Sequence, residues 1–473
     1  MGDEGPKLLE VLNGTKSFIG NAGRVEAWIT VVVALVVIVS STWLWLCKRS
    51  GRRKRIPGPA IWPVIGSMLD IVQNFDTLND WYLSYFSDDV KTFAFAIPEF
   101  PRSLKFFATV DPVNVEYILT NIHKYGKLST LTKIGPGLQE RAGDFLGSGM
   151  LMTDGAAWKR HRRIASTEFS TSKLRDHCDT VFREGAIKLA NVLKSAMAVK
   201  DPVEIQDLAI RLTLDNICKM AFGVELGCLA ITLPDVPFAR AFDDAALNIG
   251  DECCFREAIR NLDMFAVNVI NKRRKEISAA HDAGREFNKE DLLSRFMSHR
   301  AGGDDSYNDK ELRDVRVDFL LARRDTSAVT IAWFTYAMCR HSDIADKIHK
   351  EGVDVVGYHT DFESMAQRLK HEVLGRMHYL HAALSESLRL HPPLARDSKY
   401  VFEDDALPDG TKVRKDDFVH HVPYSMGRMP FLRDSDVLEF KPERWLKDGA
   451  FQSVYIKRIS GTDLTLQIVR IVN

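Results

Sequence analysis

Glu386-Ser387-Leu388-Arg389 stands near the end of a helical pattern that runs from about Met377 to Leu390. Positions i and i+3 share a helix face, so this carboxylate and this guanidinium can pair. The helix stops before His391-Pro392-Pro393, because proline disfavours helical geometry at the residue before it. Further on, Pro442-Glu443-Arg444-Trp445 follows an irregular stretch, Met426–Glu439. Arg444 is a second guanidinium able to close on Glu386 and complete a buried charge triad. An isolated Glu–Arg pair occurs by chance on many helices. Its weight here comes from what surrounds it.

Two groups lie upstream. Trp158-Lys159-Arg160-His161-Arg162 sets an indole and a guanidinium on one helix face at i, i+4. Ala322-Arg323-Arg324-Asp325-Thr326-Ser327 falls inside a long apolar helix. That helix opens at Asn308, with Glu311 three residues on as a capping-box partner, and runs to about Arg340. A Thr hydroxyl both donates and accepts, and it can bond a backbone carbonyl one turn back. Strand patterns cover 90–97 (VKTFAFAI) and 104–110 (LKFFATV). Asp111-Pro112 then caps and opens a helix to about Thr120. From Trp158 to about Met297 the pattern is mostly helical, and Lys272-Arg273-Arg274-Lys275 reads as a solvated helix face. Lys399–Leu407 and Thr411–Tyr424 flank Pro408-Asp409-Gly410, a hairpin signal. The fold class is mainly α with small β sheets.

The chain has 473 residues, with 64 basic against 64 acidic side chains. Its 45% hydrophobic content excludes a disordered, collagenous or disulfide-stapled protein. Zero net charge excludes a whole-chain electrostatic fit to nucleic acid. One asymmetry stands out. Ala27 to Cys47 is 21 residues without a charge. As a helix it would be ~31 Å long, about the hydrocarbon thickness of a bilayer. Trp28, Trp43 and Trp45 stand near its ends, and Lys48, Arg49, Arg52, Arg53, Lys54 and Arg55 follow it. The positive-inside rule puts the N-terminus in the lumen and everything after Lys48 in the cytosol. Asn13-Gly14-Thr15 is a glycosylation sequon on the lumenal side. The expected organisation is a lumenal tail (1–26), a transmembrane anchor (27–47), a basic and Pro-rich hinge (48–59), an incomplete main domain (60–452) and a divergent tail (453–473). Six of the seven Cys follow the anchor, where thiols stay reduced.

Taken together, these motifs resemble the cytochrome P450 superfamily. The segments YSMGRM (424–429), LPDGTKV (407–413), FKPERWLKDG (440–449) and LTLDNICKMAFGV (212–224) resemble the plant long-chain fatty acid hydroxylase branch. The resemblance runs from about Pro57 to Phe451. It implies the mainly helical P450 fold behind one N-terminal transmembrane helix, and heme-thiolate monooxygenation at or near the ω end of a long-chain fatty acid. It implies heme, dioxygen and NADPH, whose electrons arrive through a membrane-bound reductase flavoprotein, on the endoplasmic reticulum membrane. Glu386, Arg389 and Arg444 match the family's structural triad. Trp158 and Arg162 match residues that contact the heme propionates. Asp325 and Thr326 match the acid–hydroxyl pair that relays protons to iron-bound dioxygen.

The sequence departs from the family at two places. Arg323 stands where the family has a small residue, usually Gly. A long charged side chain there must snorkel away, find a carboxylate or block the pocket. The heme-binding loop, F-x-x-G-x-R-x-C-x-G, does not follow Trp445. Residues 454–473, VYIKRISGTDLTLQIVRIVN, contain no Cys, and the last Cys is Cys339. The expectation is a P450 fold truncated at its C-terminal side with no metal ligand. The alternative is a heme-free relative that at most binds lipid or the reductase.

Overall fold

The computed structural model describes residues 33, 36, 37, 40, 41, 56–98, 103–127, 143–168, 175–247, 252–287, 291–298, 307–359, 361–432 and 435–452. The expected membrane span lies outside these residues except for five helical positions. The lumenal tail, the basic collar at 48–55 and the tail from 453 also lie outside them. Among the described residues no helix is long and apolar enough to cross a membrane.

The chain divides into two compact units, one of residues 1–78 with 93–106 and one of 79–92 with 107–473. The first holds α1 (Met68–Gln73), most of β1 (Thr92–Ile97) and the start of β2 (Leu104–Thr109). Pro57-Gly58-Pro59 lies against β1, where Ala94 N–H donates to the Pro57 carbonyl at 2.8 Å. Gly58 has φ +146°, and a Cβ there would stand 2.1 Å from the Ala94 oxygen. Only glycine permits both.

The second unit is mainly helical. Its first helices are α2 (Leu78–Ser84) and α3 (Pro112–Thr120). Asp111 caps α3 by accepting from Val113 N–H at 2.9 Å. There follow α4 (Gly155–Glu168), α5 (Arg183–Val199), α6 (Ile205–Phe222), α7 (Pro237–Leu247), α8 (Glu252–Asp282), α9 (Leu292–Ser298) and α10 (Asp309–Arg340). Helix α6 ends in the left-handed Gly223, whose N–H returns to the Lys219 carbonyl at 3.0 Å as an αL cap, while Val224 N–H reaches the Cys218 carbonyl at 3.1 Å. The capping box on α10 forms as the spacing predicts. Glu311 N–H donates to Asn308 at 2.9 Å, and Asn308 N–H to the Glu311 carboxylate at 3.0 Å. The first half of α10 is buried from Leu312 to Leu320 and packs against α6, α8 and α9 around Phe222, Phe242, Phe255 and Leu293. This is the core of the unit.

The basic run 272–275 is not wholly solvated. Arg273 is 3% exposed. It donates to Asp291 at 2.6 Å and to the Phe222 carbonyl at 3.0 Å. A charge run read from sequence carries no sign of a carboxylate 18 residues away that draws one member inward.

Beyond α10 come α11 (Ser342–Val356), α12 (Phe362–Arg368) and α13 (His378–Leu390). Helix α13 carries the Glu–Arg motif. A small antiparallel sheet follows. In it β3 (Tyr125–Gly126) pairs with β4 (Asp397–Val401), and β4 pairs with β5 (Phe418–His421) in the register Asp397↔His421. The turn at Pro408-Asp409-Gly410 lies inside this long hairpin. Asp409 accepts there from Thr92 at 2.7 Å and from Asn114 at 2.8 Å.

Candidate functional site

The site residues fall into three clusters. The first is built on α13. Glu386 is fully buried, and its two oxygens are saturated. Arg389 donates to both, at 2.8 Å each. Arg444 Nε donates at 2.8 Å, Trp445 Nε1 at 2.8 Å and Lys441 N–H at 2.9 Å. The guanidiniums are satisfied elsewhere as well. Arg389 reaches the Val437 carbonyl at 2.6 Å, and Arg444 reaches Asp436 at 3.0 Å. Burial alone would push Glu386 up. The Arg389 hydrogen bonds and charge, with Lys441 N–H and Trp445, outweigh it and hold the carboxyl below the usual range. The structure thus joins Glu386, Arg389 and Arg444, and adds Trp445 and Asp436.

The second cluster is cationic and centres on α4. Arg162 lies 5.9 Å and Lys127 5.3 Å from the Trp158 ring centroid. Burial pushes Lys127 down to about 8, and the charges of Lys399 and Arg162 add to this, opposed by Asp154 and Asp397. Asp397 on β4 pairs with Lys399 at 2.8 Å. Arg396 lies 5.1 Å from the Tyr82 ring. Trp158 Nε1 and Arg396 Nη1 are buried donor atoms without a hydrogen-bond partner among the described residues.

The third cluster is on α10. Asp325 and Thr326 are half-buried neighbours on one turn. Thr326 Oγ1 donates to the Ala322 carbonyl at 2.7 Å. Burial pushes the Asp325 carboxyl up, while Arg324, 3.6 Å away, pulls it down. Arg324 is 1% exposed and takes the Asp243 carboxylate. Arg323, one position earlier, faces a different environment. It turns to a cavity of about 530 Å³ lined by Leu189, Leu212, Ile217, Met220 and Ile331. Its Nη1 stands 3.9 Å from Met220 Sδ.

Sequence reasoning missed Arg396, Lys127, Lys399 and Asp397. Arg396 and Lys399 stand in a stretch whose alternation reads as an ordinary half-buried strand. The signal available was the density of basic residues there.

Heme can be tested against this set. Two unpartnered buried donors, with Lys127, Arg162 and Lys399 close by, suit a pair of carboxylates, and an anion there would favour charged Lys127. The propionate end fits. The iron end does not find its thiolate: the described cysteines are 178, 218, 228, 253, 254 and 339, and none lies between Glu386 and Gln452. His420 and His421 on β5 are not free ligands either. His420 Nδ1 stands 2.9 Å from the Tyr82 hydroxyl, and His421 Nδ1 stands 3.8 Å from Asp397.

Comparison with known proteins agrees with this geometry. The family model described as Cytochrome P450 matches residues 109–234 and 250–457. Cytochrome P450 704C1 of Pinus taeda is 38% identical over 453 residues, covering 89% of this chain and 84% of that protein. Cytochrome P450 704B1 of Arabidopsis thaliana is 36% identical, covering 89% and 86%. Cytochrome P450 86B1 of Arabidopsis thaliana is 35% identical, covering 89% and 78%. The buried Glu386–Arg389–Arg444 cluster and the matches across most of the chain lead to one conclusion: this chain belongs to the cytochrome P450 family.

Proposed function

We propose that the chain is a heme-dependent monooxygenase that hydroxylates long-chain fatty acids at or near the ω end, using dioxygen and electrons from an NADPH-dependent reductase flavoprotein. In this reading one helix at 27–47 anchors the protein in the endoplasmic reticulum membrane with residues 60–452 in the cytosol, where a substrate partitioning from the bilayer can reach it. The observation that carries the reading is the cationic cluster, with its two buried unpartnered donors. When bound, the heme supplies one-electron oxygen chemistry. Trp158, Arg162 and Arg396 hold its carboxylates. Arg suits this task because its planar fork meets a carboxylate in two parallel bonds. Asp325, whose proton affinity burial raises, and Thr326, whose hydroxyl donates and accepts, hold and pass a proton at adjacent positions. Glu386, Arg389 and Arg444 keep α13 and the segment 436–445 in register and take no part in chemistry.

A second reading has its own support, since no described cysteine stands where an iron ligand is needed. In that reading the chain is a heme-free relative that at most binds lipid or the reductase. The reduced carbon monoxide difference spectrum of the purified chain separates the two. A thiolate-type Soret band sustains the monooxygenase. Absence of any heme absorbance after loading defeats it.

A further inference from the structure

Helix α10 grips the segment leading into α4 by that segment's backbone. Arg313 donates to the Phe145 carbonyl at 2.6 Å and to the Asp144 carbonyl at 2.8 Å. Asp314 accepts from Ser148 N–H at 2.7 Å and from its hydroxyl at 3.1 Å. Asp318, one turn on, accepts from Leu151 N–H at 2.7 Å. Both carboxylates are 1% exposed. Glycine lets the loop come this close. Gly147 has φ +60°, and a Cβ there would stand 1.9 Å from Asp314 Cγ. A Cβ on Gly149 would stand 2.2 Å from Asp318 Oδ2. At the far end Asp154 accepts from Lys127 N–H at 3.0 Å. Helix α4 begins at once, and its Arg160 returns to Glu311 on α10 at 2.9 Å.

Two carboxylates one turn apart inside a core are costly. Apolar side chains would fill the same space more cheaply, so packing alone does not account for them. They meet main-chain N–H groups that would otherwise be orphaned beside the core. Asp325 and Thr326 lie two turns further along the same helix.

We propose that Arg313, Asp314 and Asp318 are positioning residues. They fix the register of residues 144–151 on α10, and so set Trp158 and Arg162 relative to Asp325 and Thr326. The clamp stands on the chain's own geometry, and only the part that Trp158 and Arg162 play rests on the proposed function. Burial pushes Asp318 up to about 8. The Leu151 N–H bond, Lys127 and Arg313 oppose this, and Asp314 adds to it.

Hydrogen–deuterium exchange of the full chain, purified without added heme, tests the assignment. Asp318→Ala is expected to speed exchange in the peptide 144–154 by at least roughly 10-fold while 205–222 stays unchanged. Gly149→Ala is expected to do the same. Asp318→Asn keeps an amide oxygen for Leu151 N–H, so it is expected to restore protection. It should also remove the change in protection, corrected for intrinsic rate, that the wild type shows between pH 7 and 9. Unchanged exchange in Asp318→Ala overturns the proposal. So does an equal loss in 205–222, which would make the acid a support of the whole core. The carbon monoxide spectrum of the same wild-type sample reads the heme assignment separately.

Discussion

At the scale of single residues, the site depends on charges whose partners are fully specified. Glu386 is the common acceptor for Arg389, Arg444, Trp445 and Lys441 N–H. A buried ion cluster adds little net stability, yet removing one member strands the others. Glu386→Gln is therefore expected to cost about 3–5 kcal/mol, read by urea denaturation. A loss near zero would show that the two guanidiniums find other acceptors. This cluster was legible because i, i+3 spacing and a second Arg in a short motif are visible in one dimension. Arg396 was not, since its role depends on a donor left unpartnered in three dimensions. Arg323 makes a second test. Its guanidinium borders an apolar cavity, and its Nη1 meets Met220 Sδ. Arg323→Gly is expected to cost about 1 kcal/mol for glycine inside a helix. In a heme-loaded protein it should raise oxygen-dependent hydroxylation, because the departure from the family's small residue is removed. No gain in turnover would sink that account.

At the scale of elements, local sequence rules and long-range packing divide the work. The start of α3 at Asp111-Pro112 and the start of α10 at Asn308 fall where capping chemistry puts them. The capping box satisfies one N–H at each end of its reciprocal pair, in an exposed place with little packing to compensate. Asn308→Ala is expected to lower stability by about 1 kcal/mol, seen as a shift of the urea midpoint without a change in slope. An unchanged midpoint would mean that the buried face of Leu312–Leu320 alone fixes the helix start. The strands at 92–97 and 104–109 were also legible, from aromatic and β-branched runs. What was not legible is which polar residue of an element turns inward. Arg273 sits within a basic run, and Asp314 and Asp318 sit on a helix like any other acids. Each is buried because a partner distant in sequence, Asp291 for the first and the loop amides for the others, meets it in the fold. Hydrophobic periodicity does not encode such meetings.

Over the whole molecule, the pH dependence of stability joins several of these buried groups. Burial pushes His420 down to about 3 and His421 and His391 down to about 4, from 6.5. The folded chain holds these three neutral where the unfolded chain would protonate them. Stability therefore falls as pH drops below about 6.5. Glu386 acts in the same direction lower down. Its carboxyl lies below 4.5 in the fold, so its contribution is lost as the pH falls through that region. Asp318 acts the other way. Its pKa is raised from 3.8 to about 8, so the fold keeps a proton that the unfolded chain releases, and stability falls as pH rises across that window. Below about 6.5 three histidines outweigh one aspartate. Between about 6.5 and 8 the aspartate dominates, and Lys127, lowered from 10.5 to about 8, begins to oppose it only at the top of that window. The melting temperature of the heme-free chain is accordingly expected to peak near pH 6.5, falling steeply on the acid side and gently on the alkaline side. Asp318→Asn is expected to abolish the alkaline decline and leave the acid limb in place. A wild-type curve that is flat from about pH 6.5 to 8, or an Asn variant that still declines there, would mean that Asp318 is ionised at neutral pH and that its bond to Leu151 N–H does not couple to stability.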